Sequence, residues 1–117
     1  MEKEMTTVVN QVQITRSLEI YDRAKKLIPG ISQLISRRPT RAAFGISPIY
    51  AERAKGCKIW DVDGNEYIDW GSAVGPIILG YANPVVDAAV IEAIDKGSIY
   101  SIIHENSVEL AELLVEI

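Results

Sequence analysis

The sequence predicts an α+β chain: an N-terminal helix, a short antiparallel β-meander, a Gly-rich connection and two further helices. Three observations predict it. Apolar residues recur at helical spacing before Pro29 and again after Pro84. Between Ile49 and Trp70, three short runs of β-forming residues are separated by turn-forming sequences. Gly71, Gly75, Pro76 and Gly80 then crowd the stretch that leads to the later helices.

Residues 1–16 lack periodicity and read as a flexible arm. Ser17 is placed to cap a helix whose apolar positions are Leu18, Tyr21, Ala24, Leu27 and Ile28, and Pro29-Gly30 stops it. A loop with a basic cluster, Arg37, Arg38 and Arg41, follows. Ile49–Arg53, Lys58–Val62 and Glu66–Trp70 read as strands, joined at Lys55-Gly56 and at Asp63-Gly64-Asn65. Gly is favoured in such turns because it takes positive φ with no Cβ clash. Alternation puts Trp60 with Val62 and Ile68 with Trp70, so pairing these faces is expected to bury both tryptophans.

The glycines after Trp70 suggest a tight connection in which backbones approach closely. Asn83 caps the next helix, with Pro84 at its first position, where no N–H is needed. Val86, Ala89, Val90, Ala93 and Ile94 form its apolar stripe, and Gly97 is the expected stop. Asn106 and Glu109 resemble a capping box for a last helix striped by Leu110, Leu113, Leu114 and Ile117. The sequence ends inside that stripe with no polar tail, as expected of a sequence cut rather than finished.

The 117 residues suffice for one small domain, and 48% hydrophobic with 24% charged residues is an ordinary globular balance. Charge is uneven. Residues 1–58 hold 11 of the 12 Lys and Arg and 5 of the 16 acids, a balance of +6, and the remainder stands at -10. The acids of the second half interleave with apolar residues at helical spacing, which describes solvated helix faces. Cys57 is the only cysteine, so no intrachain disulfide and no Cys-based zinc site exist. No signal peptide and no apolar run of membrane-spanning length are seen, and a cytoplasmic location is expected.

Several motifs fail on their chemistry. Asp61-Val62-Asp63-Gly64-Asn65 starts like a calcium loop, but its sixth and twelfth positions are Glu66 and Ser72 instead of Gly and Glu. A hairpin turn is the better account. Gly75 and Gly80 have Walker spacing, but Tyr81 and Ala82 stand where Lys and Ser or Thr are required. His104 is the only histidine and reads as a loop residue. The arginine cluster suits either a solvated loop or a clamp for a carboxylate or phosphate. No catalytic, cofactor-binding or metal-ligating residue is assigned in the chain, and no metal is expected.

The order of the segments carries a resemblance. It runs through Leu27-Ile28-Pro29-Gly30, Pro48-Ile49-Tyr50-Ala51-Glu52-Arg53-Ala54-Lys55-Gly56, Trp60-Asp61-Val62-Asp63-Gly64-Asn65-Glu66-Tyr67-Ile68-Asp69 and Gly75-Pro76-Ile77-Ile78-Leu79-Gly80-Tyr81. This series resembles the start of class III aminotransferases, in particular the glutamate-1-semialdehyde aminomutases and their aminotransferase relatives.

The resemblance implies a piece of a fold type I enzyme that uses pyridoxal 5'-phosphate. It places residues 17–70 in the small domain and residues 71–117 on the way to a large cofactor domain beyond the sequence. It implies a homodimeric parent acting on a small-molecule amino donor or acceptor. The phosphate loop, the acid for the pyridine nitrogen and the Schiff-base lysine all come later in such enzymes, and none of the lysines here occupies a matching position. The chain alone is therefore expected to be inactive.

Two departures bear on substrate. Val74 stands where the aminomutases carry an aromatic residue before Gly-Pro. Arg38-Pro39-Thr40-Arg41 is the nearest match to a Ser-Pro-x-Arg run, which makes Arg41 a candidate carboxylate ligand. Two other readings are a non-catalytic dimerisation module and a small nucleic-acid-binding protein. The acidic second half argues against nucleic acid, so only weak retention on a DNA column at low salt is expected. Micromolar or tighter DNA binding at physiological salt would reverse that ranking.

Overall fold

The computed structural model describes residues 12–117. The flexible arm expected over 1–16 lies, for residues 1–11, outside the described residues. The chain forms two compact units, the first ending at Tyr81 and the second spanning Ala82–Ile117.

In the first unit a helix, α1, spans Thr15–Leu27. It starts two residues before Ser17, and Ser17 does not cap it. The cap position is Ile14, which offers no side-chain acceptor. The carboxylate of Asp63 does the work from the far hairpin, accepting the N–H groups of Arg16 at 2.7 Å and of Ser17 at 3.0 Å. A carboxylate meets free N–H groups and the positive end of the helix dipole better than a hydroxyl does. At the other end the Ile28 N–H donates to the Ala24 carbonyl, and Pro29 follows. Of the expected apolar face, Ala24 is buried and Tyr21 packs its ring 4.9 Å from Phe44, while Leu27 is exposed.

Three strands, β1 (Ala51–Lys55), β2 (Lys58–Asp61) and β3 (Glu66–Ile68), form an antiparallel sheet in the order β1-β2-β3. Irregular register between Ala51 and Arg53 bends β1. The expected burial of both tryptophans fails. Trp60 pairs with Glu66 in the register, and the Arg53 guanidinium covers its ring at 3.6 Å. Trp70 lies beyond the end of β3 and is 91% exposed. The ladder stops because the Asp69 side chain turns back to accept the Gly71 N–H, which starts a new turn.

In the second unit α2 spans Pro84–Asp95 and α3 spans Asn106–Glu116. Asn83 Oδ1 accepts the N–H groups of Val85 and Val86, a cap worth ~1 kcal/mol. Gly97, at φ 107, donates its N–H to the Ile94 carbonyl beyond the helix end. The expected capping box on Asn106 is absent. Asn106 is itself the first helical residue, and its N–H donates to Nδ1 of His104 at 3.2 Å. An imidazole two residues upstream accepts the N–H that the expected box gives to the Glu109 carboxylate.

Both helices expose their apolar stripes, including Val90, Ile94, Leu110, Leu113 and Leu114. Burying one such side chain stabilises by about 1.5–3 kcal/mol, against a whole domain's net ~5–15 kcal/mol. Exposed stripes of this kind also favour association. The isolated chain is expected to elute as associated species on size exclusion and to melt broadly by circular dichroism. A monodisperse monomer with one sharp transition would contradict this.

Candidate functional site

The aspartate-rich turn is structural. Asp61 is fully buried, and its carboxylate accepts four hydrogen bonds. They come from the backbone N–H groups of Asp63 and Asn65 at 3.0 and 2.8 Å, and from Asn65 Nδ2 and the Tyr67 hydroxyl, both at 2.9 Å. Burial and the Asp61 carboxylate push the Tyr67 phenol up to about 12. Burial works to raise the Asp63 pKa, but the donors on Ser17 and Arg16 outweigh it and hold the carboxyl below its ordinary value. These acids are occupied in building the turn. No His, Cys, Asp and Glu grouping able to hold a metal occurs among the described residues.

A cleft of about 150 Å³ lies beyond the sheet and is lined in part by Gly56, Cys57, Asp69, Ser72, Gly80 and Tyr81. Its walls are the two stems of the loop 70–80, both pinned to the turn between β1 and β2. The Asp69 N–H donates to the Cys57 carbonyl at 2.8 Å, and Gly56 and Tyr81 exchange backbone hydrogen bonds at 2.9 and 2.8 Å. The second contact requires glycine. A Cβ on Gly80 would stand 3.1 Å from the Gly56 Cα, at a φ of 85.

Across the cleft the Tyr81 hydroxyl donates to Asp69 Oδ2 at 2.6 Å, while Asp69 Oδ1 accepts the Gly71 N–H at 2.8 Å. The Tyr81 hydroxyl, with the Gly71 N–H behind it, holds the Asp69 carboxyl below its ordinary range, and Asp69 in turn raises the Tyr81 phenol. Near neutral pH the pair is a carboxylate and a neutral phenol, a fixed hydrogen bond and not a proton relay.

The loop these stems carry is strained. Ser72, Ala73 and Val74 sit at φ 45, 51 and 70, a left-handed turn made of residues that carry a Cβ. Each such residue costs about 1–2 kcal/mol. The turn is closed by the Val74 N–H on the Gly71 carbonyl at 2.7 Å and the Gly75 N–H on the Ser72 carbonyl at 2.9 Å. Val74 is 87% exposed, so the strain gains no packing for it among the described residues.

Arg41 ends a single 3₁₀ turn, Pro39–Arg41, and is exposed. Its guanidinium makes no ion pair among the described residues. The described hydrogen bonds and ion pairs do not join it to the loop that holds Val74. The Asp69–Tyr81 pair escaped sequence reasoning. An acid at a strand end and a tyrosine twelve residues later have no spacing that marks them as partners. The glycine at position 80 was the one available signal of close backbone approach.

Residues 41–117 match the class III aminotransferase family. The chain is 48% identical over 90 residues to a glutamate-1-semialdehyde 2,1-aminomutase of Methanococcoides burtonii, covering 76% of this chain and 20% of that protein. It is 44% identical over 103 residues to the protein of that name from Syntrophomonas wolfei, covering 86% and 23%. Among solved structures, an omega-transaminase from Sphaerobacter thermophilus matches with a TM-score of 0.76 at 28% identity, over 90% of this chain and 24% of that one. The FumI protein of Sphingopyxis sp. MTA144, solved in its PLP internal aldimine form, matches at 0.74 and 33% identity over 84% and 23%. The chain thus spans about a fifth to a quarter of the length of its relatives.

The two glycines of the loop are expected to differ. Gly75 has φ 109 but open space around its Cα, whereas Gly80 combines positive φ with the Gly56 backbone. Gly80→Ala is expected to speed hydrogen exchange at the Gly56 and Tyr81 amides by at least about tenfold, the equivalent of ~1.4 kcal/mol. Gly75→Ala should leave those two amides near the parent rate. Equal effects at both sites would contradict the close-approach account.

Proposed function

The chain belongs to the class III aminotransferase family, and from that membership we propose that it is the N-terminal part of a pyridoxal-phosphate-dependent aminotransferase or aminomutase. The parent enzyme moves an amino group between an amino compound and an aldehyde or ketone. The observation that carries the reading is the likeness to the omega-transaminase, with a TM-score of 0.76 across 90% of the chain.

The cofactor, when bound, supplies an electron sink for bond changes at the amino-bearing carbon. The residues of this chain do not by themselves fit it. The cleft beside Asp69 is lined by no lysine or arginine. Lys25, Lys58 and Lys96 are engaged at the surface with Asp22, Glu66 and Glu92. An amine for the cofactor and a cradle for its phosphate must come from the remainder of the parent. The part assigned to this chain is to shape the substrate side. Arg41 offers a guanidinium for a substrate carboxylate. Val74 offers a small apolar wall, which favours donors larger than an aromatic residue there would admit. The parent is read as a cytoplasmic homodimer, and no helix among the described residues is long and apolar enough to cross a membrane.

The test is a chimera in which this chain replaces the matching segment of the Methanococcoides burtonii protein. It is expected to purify with pyridoxal phosphate bound, to fix the cofactor on one lysine after borohydride reduction, and to transfer an amino group. The chain alone, given the cofactor and borohydride, should label no single lysine. Stoichiometric labelling of one lysine in the isolated chain, or a folded chimera that takes up no cofactor, would overturn the reading.

A further inference from the structure

Resting on that reading, we propose that Asp69 and Tyr81 are positioning residues: together they latch the left-handed turn Ser72–Gly75 and so fix where Val74 meets the substrate. Three observations carry this. First, the loop closes at one place. Cys57 and Gly56 are neighbours in the chain, and they hold the Asp69 stem and the Tyr81 stem respectively. The bond between the Tyr81 hydroxyl and Asp69 Oδ2 staples the stems directly to each other.

Second, the same carboxylate reaches the turn. Its other oxygen accepts the Gly71 N–H, immediately before the three strained residues. One side chain therefore joins the closure of the loop to the conformation of its tip. Third, the strain gains no packing for Val74, which is exposed, whereas Ser72 and Ala73 are half-buried. Three successive residues with a Cβ do not hold positive φ in a free loop. Strained backbone of this kind clusters at functional sites, held there by the structure around it. The exposed side chain held by this turn is Val74.

A latch differs from a general support in one respect. If the pair maintains an unfavourable backbone conformation, a residue that adopts positive φ freely will substitute for part of it. Glycine at position 73 is such a residue, since Ala73 lies in the middle of the left-handed turn at φ 51.

The experiment uses the chimera carrying the full chain, with Tyr81→Phe, Asp69→Asn, and Tyr81→Phe combined with Ala73→Gly. Three readouts are taken: bound-cofactor absorbance, chymotrypsin cleavage after Leu79, and the ratio of kcat/KM for 1-phenylethylamine and alanine as donors. Tyr81→Phe is expected to keep cofactor loading, to speed cleavage at Leu79, and to shift the donor ratio about tenfold, the scale of one charge-assisted hydrogen bond. Asp69→Asn should shift the ratio in the same direction. Adding Ala73→Gly should return the ratio most of the way to that of the parent. A loaded Tyr81→Phe chimera with unchanged ratio and cleavage would overturn the latch alone, as would a shifted ratio that Ala73→Gly does not restore. A parent chimera that takes up no cofactor would instead overturn the enzyme reading, and the latch with it.

Discussion

The buried carboxylate of Asp61 gathers two backbone N–H groups, an amide side chain and a phenol, and the docking of α1 on the sheet follows from the turn they build. Removing an ionised group from water is costly unless several donors replace the lost solvation. Four donors here do so. They also decide the direction of the chain after β2. With the turn closed, Asp63 faces the start of α1, Asn65 donates from its side chain to the Gln13 carbonyl, and β3 enters in register with β2. A helix and a hairpin far apart in the sequence are joined by polar contacts. The apolar contribution is small, since Ala24 is the one buried hydrophobic residue among those described.

The second unit is built on the opposite balance. α2 has a sound local cap and α3 does not, and neither has an apolar interior among the described residues. Local propensity and caps determine where a helix begins and ends, while stability comes from a partner face. That is consistent with a chain that spans about a quarter of its relatives' length.

How much of this was legible in the sequence depended on the range of the interaction. The cap of α2 was readable because Asn83 and Pro84 act within three residues of themselves. The Asp63-Gly64-Asn65 turn was readable for the same reason. The cap of α1 was not, because its acceptor lies on another hairpin, and Ser17 offered a plausible local substitute. Strict alternation places Trp70 on the sheet, but the ladder ends before it, where Asp69 turns back to Gly71. The left-handed turn at Ser72, Ala73 and Val74 gave no warning at all. Those residue types do not favour positive φ, and only the surrounding hydrogen bonds impose it. At the candidate site, the place of Val74 in the loop was legible, and the pair that braces that loop was not.

The arrangement at α1 has a consequence for synthesis. A ribosome delivers the helix first, while its N-terminal acceptor, Asp63, follows 47 residues behind Arg16. At ~5–20 residues per second that interval is roughly two to ten seconds. A helix of 13 residues is marginal in water without tertiary support. During that interval the helix lacks the carboxylate that accepts its first N–H groups. The acceptor at Asp63 reaches the helix only after the hairpin that carries it has been made. The start of the first helix is thus completed by a residue made long after it.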